Sequence, residues 1–296
     1  MKKRLLLLAP LLLLAACAAG RREIRLTSEP SLERALDALD RSQQGRSLVR
    51  FLLKHPVSLE YSNTAGRCTK FALDKRKVYV SPDYKPSDPV LALAVGRAAY
   101  IYRLYLESGL DEIISEEEEL SALFQARLGV ELGVVSADFA KAGGAAELKN
   151  AHCAYLLESS GYAMQQARKE ALSSDVACQR PLDTMENQRV WLEKTRQAIN
   201  DETFYQLLYE RDLARVKKGA IPMSTAMRND ATLRAMPTYE IYRYQRSFYD
   251  KQSDIFTRFA ALYSSEIRQD AVWREPRREE IDLAREEFSD CGLRSG

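Results

Sequence analysis

Side chains capable of metal or nucleophilic chemistry are few in this sequence. It contains two histidines, His55 and His152, so a zinc hydrolase with several histidine ligands is nearly excluded. His152 precedes Cys153, and a Cys–His nucleophile pair can be drawn with Cys153 or with Cys68. Adjacent residues on a helix point about 100° apart, so we favour ordinary helix positions for both histidines. The sequence has no Gly-x-Ser-x-Gly motif and no glycine-rich phosphate loop.

Charged residues offer two further candidate sites. The run Glu116–Glu119 could bind calcium, but no EF-hand spacing surrounds it, and acids at the start of a helix also suit the helix dipole. We favour a solvated helix start. Arg97 lies inside the most apolar segment, and a buried charge needs a partner. We predict a buried ion pair of Arg97 with Glu118 or Glu119. The alternative is that Arg97 extends outward to solvent.

The N-terminus has the order of a secretory signal. A charged start is followed by a short leucine-rich stretch and by Leu14-Ala15-Ala16-Cys17, as in cleaved signals. The apolar stretch is too short to span a membrane as a helix. The four residues resemble the lipobox of bacterial lipoproteins. The resemblance implies a diacylglycerol on the Cys17 thiol, loss of the peptide before it and an acylated new amine, which together anchor a protein stably.

The position after the cysteine bears on localisation. The common inner-membrane retention signal of bacterial lipoproteins is an aspartate there, whereas this chain has Ala18. The resemblance therefore favours the outer membrane, with the protein exported and facing the periplasm. We expect residues 1–16 to be the signal peptide and residues 17–30 a lipid-anchored tether.

Composition limits the partners of the mature chain. The precursor has 44 Lys+Arg and 42 Asp+Glu, and residues 1–16 contain three of these cations and no acid, which leaves 41 against 42. Because nucleic-acid-binding proteins carry a clear basic excess, we expect no nucleic-acid partner. We also expect no cofactor. The mature length is sufficient for one large domain or two small ones.

The cysteines after Cys17 would meet an oxidising compartment, in which disulfides form. Cys68, Cys153, Cys178 and Cys291 allow three complete pairings, and sequence alone does not choose among them. Cys153 and Cys178 lie on one helical stretch or on two neighbouring helices. Only the second arrangement brings their Cα atoms within bonding range. We name this pair as the candidate disulfide.

Hydrophobic periodicity predicts an α+β fold that is predominantly α-helical. Apolar spacing predicts helices over 31–40 and 46–54. Alternation near residues 57–81 predicts short strands in a small antiparallel sheet. A buried helix over 89–106 should follow, with Asp88 as its N-cap and Pro89 in its first turn. Ser115 and Glu118 match a capping box that starts the next helix. Residues 31–143 would form this mixed region.

The remaining residues, 144–296, should form a helical region, which could share one domain with the mixed region. We predict helices within 145–173, over 185–199, 202–217 and 239–267, and after Pro276, with a loop from Gly219 to Pro237. The helix over 239–267 carries an apolar stripe: Ile241, Phe248, Ile255, Phe259, Leu262 and Ile267. Such spacing favours core. The tyrosines that flank the stripe, Tyr242, Tyr244, Tyr249 and Tyr263, would suit a partner interface.

Residues 78–133 combine a strand, a proline-marked loop, a buried helix and an acidic helix start. This order resembles the core of zincin-type metallopeptidases, whose buried helix carries His-Glu-x-x-His. The corresponding turn here is Val95-Gly96-Arg97-Ala98-Ala99, which contains neither zinc ligand nor general base. The resemblance covers under a quarter of the chain. It implies a domain that has lost peptidase activity, with Arg97 paired in the space of the metal.

Two functional classes follow from the sequence. The first is a non-catalytic lipoprotein of the outer membrane that binds an envelope protein or a cell-wall partner through its helical part. The second is a peptidase-like envelope hydrolase with an unrecognised active site. Stoichiometric zinc in the purified protein would defeat the first interpretation.

Overall fold

The computed structural model describes residues 26–63, 70–72, 76–110, 114–143, 145–158, 184–199 and 202–288. Several predicted features lie outside these ranges: the signal peptide, Cys17 with most of its tether, and Cys68, Cys178 and Cys291. None of the helices in the described ranges is long and apolar enough to cross a membrane.

Two helices begin the described chain. α1 (Pro30–Arg41) and α2 (Gln43–Lys54) are separated by Ser42, whose hydroxyl accepts the N–H of Gly45 and caps α2. Gly45 is needed in this turn because a Cβ there would overlap the carbonyl oxygen of Leu39. Both predicted helices are confirmed, and their buried leucines pack into the core.

A three-stranded sheet follows, in the order β1-β3-β2, formed by β1 (Ser58–Tyr61), β2 (Lys70–Ala72) and β3 (Lys77–Val80). β2 and β3 are antiparallel, but β1 runs parallel to β3, with Leu59 opposite Val78. The prediction of an antiparallel sheet was therefore wrong for β1. Alternation indicates which side chains face the core, and this alternation is the same in parallel and antiparallel strands.

The central helix α3 (Asp88–Ser108) is buried on most of its faces, as its apolar sequence predicted. Its N-cap is Ser87 and not Asp88, since the Ser87 hydroxyl accepts the N–H of Val90. α4 (Ser115–Glu131) packs beside it. The capping box predicted from Ser115 was wrong, because Ser115 is already helical and the N-cap position belongs to Ile114.

The rest of the described chain is helical, with short 3₁₀ turns at Pro82–Tyr84 and Glu275–Arg277. The helices are α5 (Ser136–Lys141), α6 (Ala146–Glu158), α7 (Met185–Ile199), α8 (Glu202–Lys217), α9 (Met223–Arg234), α10 (Pro237–Arg274) and α11 (Arg278–Glu287). The loop predicted from Gly219 to Pro237 contains α9, so that prediction was wrong. Buried residues from Leu26 to Phe288 form a single hydrophobic cluster, which draws on both predicted regions.

Candidate functional site

Arg97 is the centre of a buried polar cluster between α3, α4 and α6. Its side chain is only 6 % exposed, and its Nη2 lies 2.7 Å from Oε2 of Glu118. Its Nη1 lies 2.7 Å from Oε1 of Glu147. Ser121 Oγ and Gln125 Oε1 accept further hydrogen bonds at 3.3 and 3.4 Å. The structure thus brings together Arg97 and one of the two predicted acids, and the guanidinium does not extend to solvent.

The surroundings keep Arg97 charged. Burial by itself lowers the pKa of the guanidinium, but the carboxylates of Glu147 and Glu118 more than offset it, and the pKa is raised. Glu119, the other predicted acid, accepts a hydrogen bond from the Tyr263 hydroxyl at 3.0 Å. The sequence analysis missed Glu147, because it lies 50 residues along the chain, in the first turn of another helix.

The turn Val95–Ala99 does not line an open cleft. All five residues are buried, and a Cβ on Gly96 would lie 2.7 Å from Cδ2 of Leu128 and 3.2 Å from Cδ2 of Leu39. Helices α1 and α4 therefore close directly over this turn. In the part of the chain that the structure describes, no three His, Cys, Asp or Glu side chains are grouped so that they could hold a metal ion.

A second buried cluster surrounds Arg127 of α4. Its Nη2 lies 3.0 Å from Oε2 of Glu266, and its Nε lies 3.7 Å from Oδ1 of Asp270, both on α10. Asp270 also accepts the hydroxyl of Tyr155 at 2.9 Å and Nε of Arg274 at 2.6 Å. The sequence analysis did not single out any of these residues. The cluster holds α10 against α4 and α6, and Arg127 at its centre is buried.

The candidate Cys–His pair does not offer a nucleophile. The sulfur of Cys153 is in a disulfide, and its partner lies outside the described residues, so the pairing with Cys178 stays a prediction. His152 is fully buried, and burial lowers the pKa of this histidine to about 4. His55 is the C-cap residue of α2, with its ring 4.7 Å from that of Phe51.

The acidic run at the start of α4 does not converge on one point. Glu116 accepts the backbone N–H of Met185 at 3.0 Å, whereas Glu118 and Glu119 turn to Arg97 and Tyr263. Glu117 is only 3 % exposed, and its Oε2 has no hydrogen-bond partner among the described residues. Burial, reinforced by the nearby Glu118, raises the pKa of Glu117 to about 8. These oxygens do not form the converging set that calcium requires.

The largest exposed aromatic side chains lie on α7 and α10. Together with the exposed Val190, which precedes Trp191 in the chain, we call this group the aromatic surface: Val190, Trp191, Tyr244 and Phe248. Trp191 is 45 %, Phe248 43 % and Tyr244 74 % exposed, although α7 packs against α10. The rings of Trp191 and Phe248 meet nearly at right angles, with centroids 6.0 Å apart, which is a favourable geometry for aromatic pairs.

The predicted stripe of α10 is therefore divided between core and surface. Ile255 and Phe259 are buried, as core residues should be, but Phe248 is not. The structure does not describe the side chain of Ile241. Tyr244, predicted to suit an interface, is the most exposed residue of the aromatic surface. The same helix thus contributes to the core at one end and to open surface at the other.

No protein-family profile, curated protein or solved structure matches this chain.

Proposed function

We propose that this protein is a non-catalytic lipoprotein of the bacterial envelope that binds a protein partner through the aromatic surface. The observation that carries the proposal is the exposed Trp191–Phe248 pair, extended by Tyr244 one helical turn away. Large aromatic side chains dominate the binding energy of protein interfaces. Tyrosine and tryptophan combine an apolar body with a polar tip, which suits a surface that is wet when free and dry when bound.

The attachment of α10 to the core supports this role. Ile255, Phe259 and Trp273 are buried, and Arg127 binds two carboxylates of the same helix. The exposed aromatic residues therefore stand on an element that is already held in place. A rigid surface loses less conformational entropy on binding than a mobile one, so more of the contact energy remains as affinity.

The anchor is the second part of the proposal. The lipobox ending at Cys17 supports lipidation of that cysteine and attachment to the membrane, with Ala18 favouring the outer membrane and a periplasmic orientation. In the zincin interpretation of residues 78–133, Arg97 supplies to Glu118 the positive charge that a metal would supply in an active relative. The body that is anchored would then be a degenerate peptidase-like domain used for binding.

Photo-crosslinking in the producing bacterium tests the binding surface. A photoreactive amino acid at Tyr244 should give a discrete crosslinked adduct on illumination, and W191A/F248A should abolish it because the neighbouring contacts are lost. The matched control is the same amino acid at Val272, which is 71 % exposed on the same helix but outside the aromatic surface. Absence of an adduct at Tyr244, or an equal one at Val272, would overturn the proposal.

A further inference from the structure

An open cleft lined by arginines lies at the junction of α1 and α2, away from every cluster described above. Its volume is about 510 Å³, and it is lined by Arg41, Gln43, Arg46, Ser47 and Arg50. Positions 43, 46, 47 and 50 share one exposed face of α2 because they are three or four residues apart. Arg41 contributes from the last turn of α1.

None of these three cations lies within ion-pair distance of a carboxylate in the described part of the chain. Arg41 Nε donates to the carbonyl oxygen of Asp37 at 3.3 Å, and Arg46 Nε donates to that of Asp40 at 3.0 Å. Both acceptors are backbone atoms and not carboxylates. A guanidinium has five N–H donors, so these contacts leave the Nη groups available. Arg50 makes no ion pair with a described residue.

The two uncharged residues of the cleft, Gln43 and Ser47, can each donate a hydrogen bond. Oε1 of Gln43 accepts Nη2 of Arg277 at 3.0 Å, which leaves the amide nitrogen of Gln43 as the free donor. The nearby carboxylate of Glu131 is already occupied by the N–H groups of Gln44 and Trp273.

We propose that this arginine cleft binds a multiply charged phosphate group, either a phosphomonoester or a diphosphate. Arginine pairs with phosphate oxygens through two parallel N–H bonds, and three guanidinium groups suit a ligand with more than one negative charge. A single carboxylate would neutralise only one of the three cations. The proposal concerns a different surface from the aromatic one, so either can fail without the other.

A direct binding measurement tests the cleft. The chain from residue 18 to 296 contains all of the described hydrophobic core residues, from Leu26 to Phe288, and is used without its lipid. Calorimetric titration with inorganic pyrophosphate at low salt should show binding that R46Q/R50Q weakens at least tenfold. R268Q, at an exposed arginine of α10, should bind like the parent chain. Thermal unfolding of each variant verifies that the fold is kept.

Vesicles distinguish the two sources of the phosphate. Co-sedimentation with phosphatidic acid vesicles that R46Q/R50Q loses would assign the ligand to a lipid headgroup with a phosphomonoester. Binding of pyrophosphate without co-sedimentation would assign it to a soluble compound, and both results support the cleft. Failure of the parent chain to bind either probe, or undiminished binding by R46Q/R50Q, would overturn the proposal.

Discussion

At the scale of single residues, Arg97 shows how a charge is accommodated inside an apolar core. Three hydrogen-bonded or ion-paired groups of α4 and one carboxylate of α6 surround it. Taking an arginine and a carboxylate out of water is costly, so each depends on the other for compensation. The cluster therefore specifies how α3, α4 and α6 pack together. Removing either the arginine or its carboxylate partners should destabilise the fold.

Replacing Arg97 by leucine should destabilise the fold by about 3–5 kcal/mol, because the partly buried carboxylates of Glu118 and Glu147 would lose their cation. Urea unfolding at neutral pH measures the change. The matched control is Arg34→Leu, which breaks an exposed ion pair with Asp88 and should leave the free energy of unfolding almost unchanged, because surface ion pairs contribute little. Equal stabilities of the parent chain and Arg97→Leu would show that the cluster does not support the fold.

His152 should make stability depend on pH. Its folded pKa of about 4 lies below its ordinary value of 6.5 because burial disfavours the charged ring. The neutral ring therefore contributes fully above about pH 6.5, and that contribution is lost as the pH falls towards 4. At 1.36 kcal/mol per pKa unit, the loss amounts to about 3 kcal/mol. Urea unfolding at a series of pH values measures it.

His152→Leu provides the control, since leucine does not titrate. The difference in free energy of unfolding between the two proteins should change over this pH range, and parallel curves would contradict the assignment. Glu117 acts with the opposite sign in both proteins. Its folded pKa of about 8 exceeds its ordinary 4.5, so its contribution is full below pH 4.5 and is lost as the pH rises to about 8. Because Glu117 is present in both the parent chain and His152→Leu, its contribution cancels in the difference between their free energies of unfolding.

At the scale of elements, α4 is a central helix that packs against α3, α6 and α10. It carries Arg127 and three of the four partners of Arg97, and it contacts α6 closely at Gly129. A Cβ on Gly129 would lie 2.7 Å from Cε1 and Nδ1 of His152. The glycine therefore sets how near the two helices come, and the ring of His152 fills the space that a side chain on Gly129 would need.

Gly129→Ala should consequently destabilise the protein by about 1–3 kcal/mol, as overpacking of a core does, despite the better helix propensity of alanine. Thermal or urea unfolding gives the value. A double-mutant cycle with His152→Ala is the decisive measurement, since the smaller side chain should relieve the contact. If the two substitutions add without coupling, this contact does not set the helix spacing.

At the scale of the whole molecule, core and exposed surface are distributed along one long helix. The C-terminal part of α10 is held by the core and by Arg127, whereas Tyr244 and Phe248 near its other end remain exposed. A protein attached to a membrane at its N-terminus could in this way present a binding surface to partners in the periplasm.

The anchor itself has a direct test. Growth of the producing cells with radiolabelled palmitate should label the protein, and Cys17→Ser should remove both the label and the membrane association, because the proposal places the lipid on that thiol. The matched control is Cys68→Ser, which changes another cysteine and should leave the label unchanged. Persistence of the label in Cys17→Ser would show that the lipobox interpretation is wrong.

Most helices were predictable because their signals are local. The apolar period of α1 and α2, the apolar length of α3 and the spacing in α7 and α8 reflect side chains a few residues apart, which share a helical face wherever the helix lies. Capping was predicted less well. Ser115 followed by Glu118 has the spacing of a capping box, but Glu118 pairs with the buried Arg97 instead.

The sequence by itself determined the helical character of the chain, the burial of α3 and the expectation that Arg97 needs an acid, since these follow from composition and spacing. The direction of β1, the role of Glu147, the cluster around Arg127 and the division of the α10 stripe were decided only by the tertiary structure. Each depends on residues distant in the chain that meet in space. Local periodicity shows which face of an element is apolar, but not which element will cover it.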